Sequence, residues 1–169
     1  MVPQARRIAL LVNPNPPSTG RVIPEVAAAA DAKGVQLEVL KVTAEADFDT
    51  AFASLEQLKA QALIVQTDPF IDARRDQLIA LAARYAVPAI YGFRQFALAG
   101  GLMSYGTSLL GVYRLVGVYA GRILGGAKPS DLPVQQPARV RSGANLRSAS
   151  RSAVGGYPVS VTAEPIEET

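Results

Sequence analysis

The sequence predicts an α/β protein built on a doubly wound parallel sheet, and three features carry that prediction. Short, unbroken apolar runs, the mark of strands buried on both faces, stand at "RIALLVN" (7–13), "ALIVQT" (62–67) and "VPAIYG" (87–92). Segments of helical periodicity separate them. The joints between segments are short and rich in Pro, Asn, Asp and Gly, so the order reads β-α-β-α-β-α-β, the rhythm of parallel strands joined by helical crossovers. A chain of 169 residues, 49% hydrophobic and 18% charged, is long enough and apolar enough to bury a core.

Taken in order, residues 7–13 form the first strand, and Asn13-Pro14 ends it. "PNPPST" is a loop, with Ser18 or Thr19 placed to cap the Ala-rich helix "RVIPEVAAAADAKG", which Gly34 closes. "VQLEVLKV" (35–42) alternates and reads as a strand nearer the sheet edge. In "DFDTAFASLEQLKAQ", Phe48, Phe52, Leu55 and Leu58 share one helical stripe. The third strand, 62–67, breaks at Asp68-Pro69. "DARRDQLIALAARYA" is the next helix, with Asp72 as its expected cap, and strand 87–92 follows. A short helical piece leads to "GGLMSYG" (100–106), expected as the fifth strand.

The stretch "FALAGGLMSYGTSLLGVYRLVGVYAG" (96–121) holds one charge, Arg114. A membrane span needs about 20 continuous apolar residues. Arg114 falls mid-segment, and Gly100-Gly101 and Gly106 divide the stretch. It reads as a strand, a glycine-bounded turn and one apolar helix from Thr107 to Leu124. Beyond it, "GGAKPSDLPVQQP" is a connector. The remainder, to Thr169, lacks apolar periodicity and is expected to be irregular or disordered. The expected organisation is thus an α/β ligand-binding lobe (1–106), a long apolar helix (107–125), and a connector with tail (126–169).

Composition excludes several kinds of chemistry. There is no Cys and no His, which removes thiol nucleophiles, Ser-His-Asp arrangements and imidazole acid–base catalysis. No metal-ligand cluster or paired carboxylate is visible, so neither an enzyme, a metal site nor a cofactor is expected. Net charge is +3, with 13 Lys and Arg against 11 Asp and Glu up to residue 137 and four arginines (139, 141, 147, 151) after it. A basic nucleic-acid face is therefore not indicated. The opening "MVPQARRIALLVN" has too short an apolar run for a secretory signal.

In open parallel sheets, ligands bind at the carboxyl ends of the strands. Those ends carry Asn13 and Asn15, Asp68, Tyr91, and Ser104 with Tyr105, and these six are the expected ligand-binding residues. Each also has a structural reading. Asn13 and Asn15 suit a sharp turn, Asp68 a helix cap, and the tyrosines half-buried packing. In the functional reading Asp68 accepts hydrogen bonds from an ammonium or hydroxyl group, while Tyr91 and Tyr105 make a pair of flat walls. The loop "PNPPSTG" (14–20) invites a flavodoxin-like nucleotide or flavin reading, but it lacks a phosphate-binding glycine motif, and its prolines remove backbone donors.

The segments "IALLVNPN", "DFDTAFASL", "DPFIDARRDQLIALAARYAVPAIY", "GGLMSYGTSL" and "YAGRILGGAKPSDLPVQQP", in that order, resemble ABC transporter substrate-binding proteins. The resemblance is to the subgroup with tryptophan- and tyrosine-binding members, and it covers about residues 1–137. It implies a type I periplasmic-binding-protein fold, in which two lobes close on a ligand, and it implies that this chain supplies the second lobe. It further implies Asn13, Asp68, Tyr91 and Ser104-Tyr105 as ligand contacts, an ABC permease as partner, and a periplasmic location. The apolar helix would then pack on a first lobe, carried separately, or drive self-association. The tail departs from the family pattern, with only "NLRSAS" (145–150) similar to it. The leading expectation is a solute-binding lobe for a small organic molecule such as an amino acid. The alternatives are the flavodoxin-like binder and a structural fragment that pairs with another lobe in trans.

Overall fold

The computed structural model describes residues 4–135 and the strand backbone at 140–144. Five strands run parallel: β1 (Arg7–Val12), β2 (Gln36–Lys41), β3 (Leu63–Val65), β4 (Ala89–Tyr91) and β5 (Met103–Thr107). A sixth, β6 (Val140–Ala144), is antiparallel to β5, giving the order β2-β1-β3-β4-β5-β6. The strand at 140–144 corrects the expectation of an irregular segment after residue 126. Its pairing satisfies the backbone groups that β5 would otherwise present as an open edge. That signal is invisible in a sequence without apolar alternation, because the contact is made by the main chain. The other tail residues, 145–150 included, lie outside the described residues.

The helices are α1 (Thr19–Asp31), α2 (Asp47–Gln57), α3 (Pro69–Asp72), α4 (Arg75–Arg84), α5 (Arg94–Leu98) and α6 (Leu109–Leu124). The core lies on one face of the sheet. Ala9, Leu11, Leu63, Val65, Ala89 and Tyr91 point there, against Phe48, Phe52 and Leu55 of α2, Leu78 and Leu81 of α4 and Phe96 of α5. The predicted α2 stripe is thus correct for Phe48, Phe52 and Leu55, while Leu58 ends the helix at its C-cap. Leu10 and Val12 are also buried but belong to the opposite face, the one that alternation assigns to α1. The sheet is covered from both sides, as a doubly wound fold requires.

Three local expectations are corrected. Ser18 precedes α1 without making a side-chain cap bond, because Thr19 turns its hydroxyl inward instead. Asp72 does not start the helix after β3. It ends α3, and the capping carboxylate is Asp68, whose Oδ1 accepts from the backbone N–H groups of Phe70 and Ile71. The predicted helix over 72–86 is therefore shorter, α4 over Arg75–Arg84, and is preceded by a separate turn of helix, α3, that ends at Asp72. Arg74 stabilises that joint: its guanidinium stacks 4.4 Å from the Phe70 ring centroid, donates to the Phe70 carbonyl and pairs with Glu45 at 3.5 Å.

Helix α6 leaves the lobe, and none of its residues is buried. Ser108 caps it by accepting from the Gly111 N–H, and the Tyr119 hydroxyl donates to the Pro133 carbonyl. Its outer side carries Leu110, 81% exposed, Leu124, 89% exposed, and between them Tyr113 and Val116. Among the described residues no helix is long and apolar enough to cross a membrane. An apolar stripe this open costs about 25 cal/mol for each Å² left in water. Purified alone, the chain is therefore expected to self-associate, and Leu110→Glu with Leu124→Lys to shift it toward monomer. Light scattering across a concentration series measures this, and a monodisperse wild-type monomer at high concentration would refute it.

Candidate functional site

The sheet order fixes where a site can form. The chain leaves β1 toward β2 on one side and returns to β3 on the other, so the loops after β1 and β3 diverge and open a crevice at their carboxyl ends. Asn13 and Asn15 follow β1, and Gln66 to Asp68 follow β3.

A buried polar network closes the base of this crevice. The Asn13 side chain donates through Nδ2 to Asp68 Oδ1 at 3.1 Å, and its own Oδ1 accepts the Asn15 N–H at 3.1 Å. The Asn13 N–H donates to Gln66 Oε1 at 3.2 Å, and Gln66 Nε2 donates to Thr19 Oγ1 at 2.9 Å. Thr19 completes the circuit by donating to the Asn13 carbonyl at 2.7 Å. Asn13, Thr19, Gln66 and Asp68 are all buried. A closed circuit of this kind leaves few polar groups unpaired and fixes the geometry of two loops from different strands. Gln66 and Thr19 were missing from the expected set. Their signal was present: Gln66 is a polar residue inside the apolar run "ALIVQT", and a buried polar group needs a partner.

The six expected residues do not form one constellation. Asn13 and Asp68 meet directly, and Asn15 lies beside them with its side chain exposed. Tyr91 and Ser104 are register partners on neighbouring strands and so share the core face. Tyr91 is 2% exposed, with its ring stacked 4.4 Å from that of Phe96. Ser104 is buried, and neither its Oγ nor the Tyr91 hydroxyl has a hydrogen-bond partner. Tyr105, one residue on, projects from the opposite face and is 60% exposed. The pair of tyrosine walls is thus not formed: pleat alternation puts the two rings on opposite sides of the sheet, one in the core and one in solvent.

At the tips of β3, β4 and β5 the chains come unusually close. A Cβ on Gly106 would lie 2.0 Å from the Gly92 carbonyl oxygen, and one on Gly92 would lie 1.9 Å from Thr67 Oγ1. Beyond these tips Arg94, Gln95, Thr107, Ser108 and Leu110 line an open cavity of about 250 Å³ between α5 and the start of α6. The loop after β1 has little left for a phosphate. Pro14, Pro16 and Pro17 have no N–H, the Asn15 N–H is held by Asn13, and the Thr19 N–H by the Pro16 carbonyl at 3.0 Å. Among the described residues no cluster of acidic groups could hold a metal.

Electrostatically the crevice holds a carboxylate pair. Asp72 is pushed up to about 6 from the ordinary aspartate value of 3.8, first by burial and then by the neighbouring Asp68 charge. A folded value above the unfolded one means that the folded state holds this proton more tightly. Full stability from this group is present below about pH 3.8 and is lost as the pH rises through about 6. Asp72→Asn, which mimics the protonated form, is expected to stabilise the chain by about 1 kcal/mol at pH 8, after discounting for partial exposure, and by nothing at pH 3.5. Urea midpoints at the two pH values check this, and equal gains at both would refute it.

Comparison with known proteins follows the same outline. A family model described as ABC transporter substrate binding protein matches residues 1–167. None of the curated proteins matches the chain. Among solved structures, the chain is similar to the ABC domain in complex with L-Trp from Streptococcus pneumonia, at 20% identity and a TM-score of 0.77 over 90% of this chain and 52% of that one. A conserved domain protein from Vibrio cholerae O1 biovar El Tor strain N16961 is 19% identical, with a TM-score of 0.82, covering 96% and 55%. The ligand-free, open structure of CD0873, a substrate binding protein with adhesive properties from Clostridium difficile, is 18% identical, with a TM-score of 0.70, covering 99% and 56%. The chain spans about half the length of each of these structures. From the family match, which runs over nearly the whole sequence, this chain belongs to the ABC transporter substrate-binding protein family.

Proposed function

We propose that the chain acts as one lobe of a solute receptor for an ABC transporter, holding a small organic solute, an amino acid in the first instance, against the carboxyl edge of its sheet. The observation that carries this reading is the position of the Asn13–Asp68 bond, at the switch point between β1 and β3. Crevices at that place are where open α/β sheets bind ligands. The buried circuit of Asn13, Thr19, Gln66 and Asp68 then acts as a foundation that positions the loops. The exposed Asn15 side chain beside it, and the exposed Tyr105 further along the same carboxyl edge, supply contacts to the solute or to the opposing lobe. The L-Trp held by the pneumococcal neighbour makes an aromatic amino acid the first solute to test.

One lobe buries less of a small ligand than a closed cleft does, so affinity from this chain alone is expected to be weak, and tight binding requires a second lobe across the crevice. The closed form would dock on a permease. The flavodoxin-like alternative is the weaker reading, because the backbone donors of loop 14–20 are few and those of Asn15 and Thr19 are already engaged. The test is a thermal-shift titration of the chain with L-tryptophan up to about 10 mM, alongside Asn15→Ala and Tyr105→Ala. At a millimolar Kd a rise of a few degrees is expected for the wild type, and it should shrink in both variants. Equal shifts in all three proteins, or a shift with FMN and none with any amino acid, would overturn the proposal.

A further inference from the structure

An apolar groove lies away from the crevice, in the helical layer over the core face, with a volume of about 370 Å³. One wall is α4, which presents Ile79, Ala80 and Ala83, and the other is the 99–102 turn between α5 and β5. The gap exists because both walls are built largely of small residues. The alanine side chains of α4 are too short to reach across, and the turn offers only Ala99 and two glycines ahead of Leu102. Neither glycine accepts a larger residue without strain: Gly100 has φ +109°, and a Cβ on Gly101 would lie 2.8 Å from the Phe96 carbonyl oxygen. Ala80, Ala83 and Ala99 are exposed, so the groove opens to solvent, and covering its apolar walls is favourable.

The sheet brings a cover to the edge of this groove. β6 runs antiparallel to β5, so it ends at Ala144 opposite Met103, next to Leu102 of the groove wall. The sequence continues past that point with residues 145–169. Within them Val154, Tyr157, Val159 and Val161 stand close together in "AVGGYPVSV" (153–161), a segment outside the described residues. Residues 145–152 reach about 25 Å when extended. The span to cover is shorter, because β4, whose Ala89 lines the groove, lies two strand spacings, or about 10 Å, from β6. Charge agrees with this placement. Between Ala144 and Glu164 the chain carries Arg147 and Arg151 and no acidic residue, while the groove's rim carries the exposed Asp76. A tether this short presents the segment at an effective concentration of about the millimolar range, so a modest apolar contact is enough to hold it.

We propose that the groove between α4 and the 99–102 turn is the docking site for the chain's own residues 153–161, with the Tyr157 ring seated between the two walls. The ring supplies the apolar bulk that the alanines and glycines lack, and its hydroxyl stays at the open side, in water. The proposal does not depend on the transport reading, because the groove uses no residue of the Asn13–Asp68 circuit.

The chain has no cysteine, so Ser160→Cys gives the full chain a single attachment point for a nitroxide spin label. Backbone amide intensities are compared by NMR with the label oxidised and then reduced. The amides of Ala80, Ala83, Gly100 and Gly101 are expected to lose most of their intensity, while those of β2, at the far edge of the sheet, keep theirs. Adding Tyr157→Ser should restore the groove amides, and it leaves the core of the lobe untouched. Ala83→Lys, at an exposed helix position, should restore them too by placing a charge in the groove. Groove amides that stay sharp beside the label would overturn the proposal and leave the groove to a separate molecule. Bleaching that survives in either variant would also overturn it. A third sample mixes isotope-labelled chain lacking the nitroxide with spin-labelled chain lacking the isotope. Equal bleaching there would make a second copy the occupant, and the proposal would fall.

Discussion

Gly106→Ala is expected to destabilise the lobe by about 3 kcal/mol, the upper part of the range for forcing an extra carbon into a packed interior. The new methyl would sit 2.0 Å from the Gly92 carbonyl oxygen and 3.0 Å from its carbon. Both are backbone atoms, so no rotamer change can relieve the clash. Nor can β5 slide aside, because its neighbours hold it by hydrogen bonds, β4 through Tyr91 and Ser104 and β6 through residues 140–144. Gly92→Ala meets Thr67 Oγ1 instead. A hydroxyl can turn away, so the cost should be smaller, about 1–2 kcal/mol. Gly121→Ala is the control with the opposite sign: nothing lies within 4 Å of its added carbon, and alanine favours an exposed helix by about 1 kcal/mol. Denaturant midpoints followed by circular dichroism give all three. A Gly106→Ala protein within about 0.5 kcal/mol of wild type would mean that the tips of β4 and β5 stand further apart than described here.

Much of this fold was legible because each element carried its own period. The three core strands are apolar runs between punctuating residues, and α2 shows its stripe of Phe48, Phe52 and Leu55 without ambiguity. The contacts that were not legible depend on partners distant in sequence. β6 is held by main-chain pairing to β5, from Thr107↔Val140, 33 residues apart, to Met103↔Ala144, 41 residues apart, and backbone pairing leaves no pattern in side-chain identity. The close approach at Gly92 and Gly106 shows in sequence only as a glycine after a tyrosine.

The site was legible in the same uneven way. Asn13 and Asp68 stand out in the sequence as strand-end polar residues, and their side chains meet in a direct bond at the base of the crevice. The expected tyrosine wall does not form because the pleat, and not position along the chain, decides which face a strand-end residue takes. Tyr91 is level with Ser104, so Tyr105 must face the other way. One register pair decides the matter, and no single sequence contains it. Gln66 shows in the sequence as a polar residue inside an apolar run, but Thr19 carries no signal of its own until Gln66 stands 2.9 Å from it.

Asp68→Ala is the second substitution expected to have a large effect, about 3 kcal/mol. The change removes the acceptor for the Phe70 and Ile71 N–H groups, which start α3, and also strands the Asn13 amide in a buried place. Loss of a cap costs about 0.5–2 kcal/mol, and an orphaned buried donor about 1–3. Asn13→Ala removes the amide itself and should cost less. The double variant should fall short of the sum by about 1 kcal/mol, since the two side chains share one bond. Asp68→Asn separates support from ligand contact. It keeps an acceptor oxygen for the cap and the Asn13 bond, and it removes the charge that helps raise Asp72. If Asp68 only positions the loops, Asp68→Asn loses about 1 kcal/mol, lowers the Asp72 titration and leaves the response to solute intact. If its charge holds an ammonium group directly, the stability loss is the same but the solute response disappears. Thermal-shift and pH-titration measurements on that one variant distinguish a foundation from a contact.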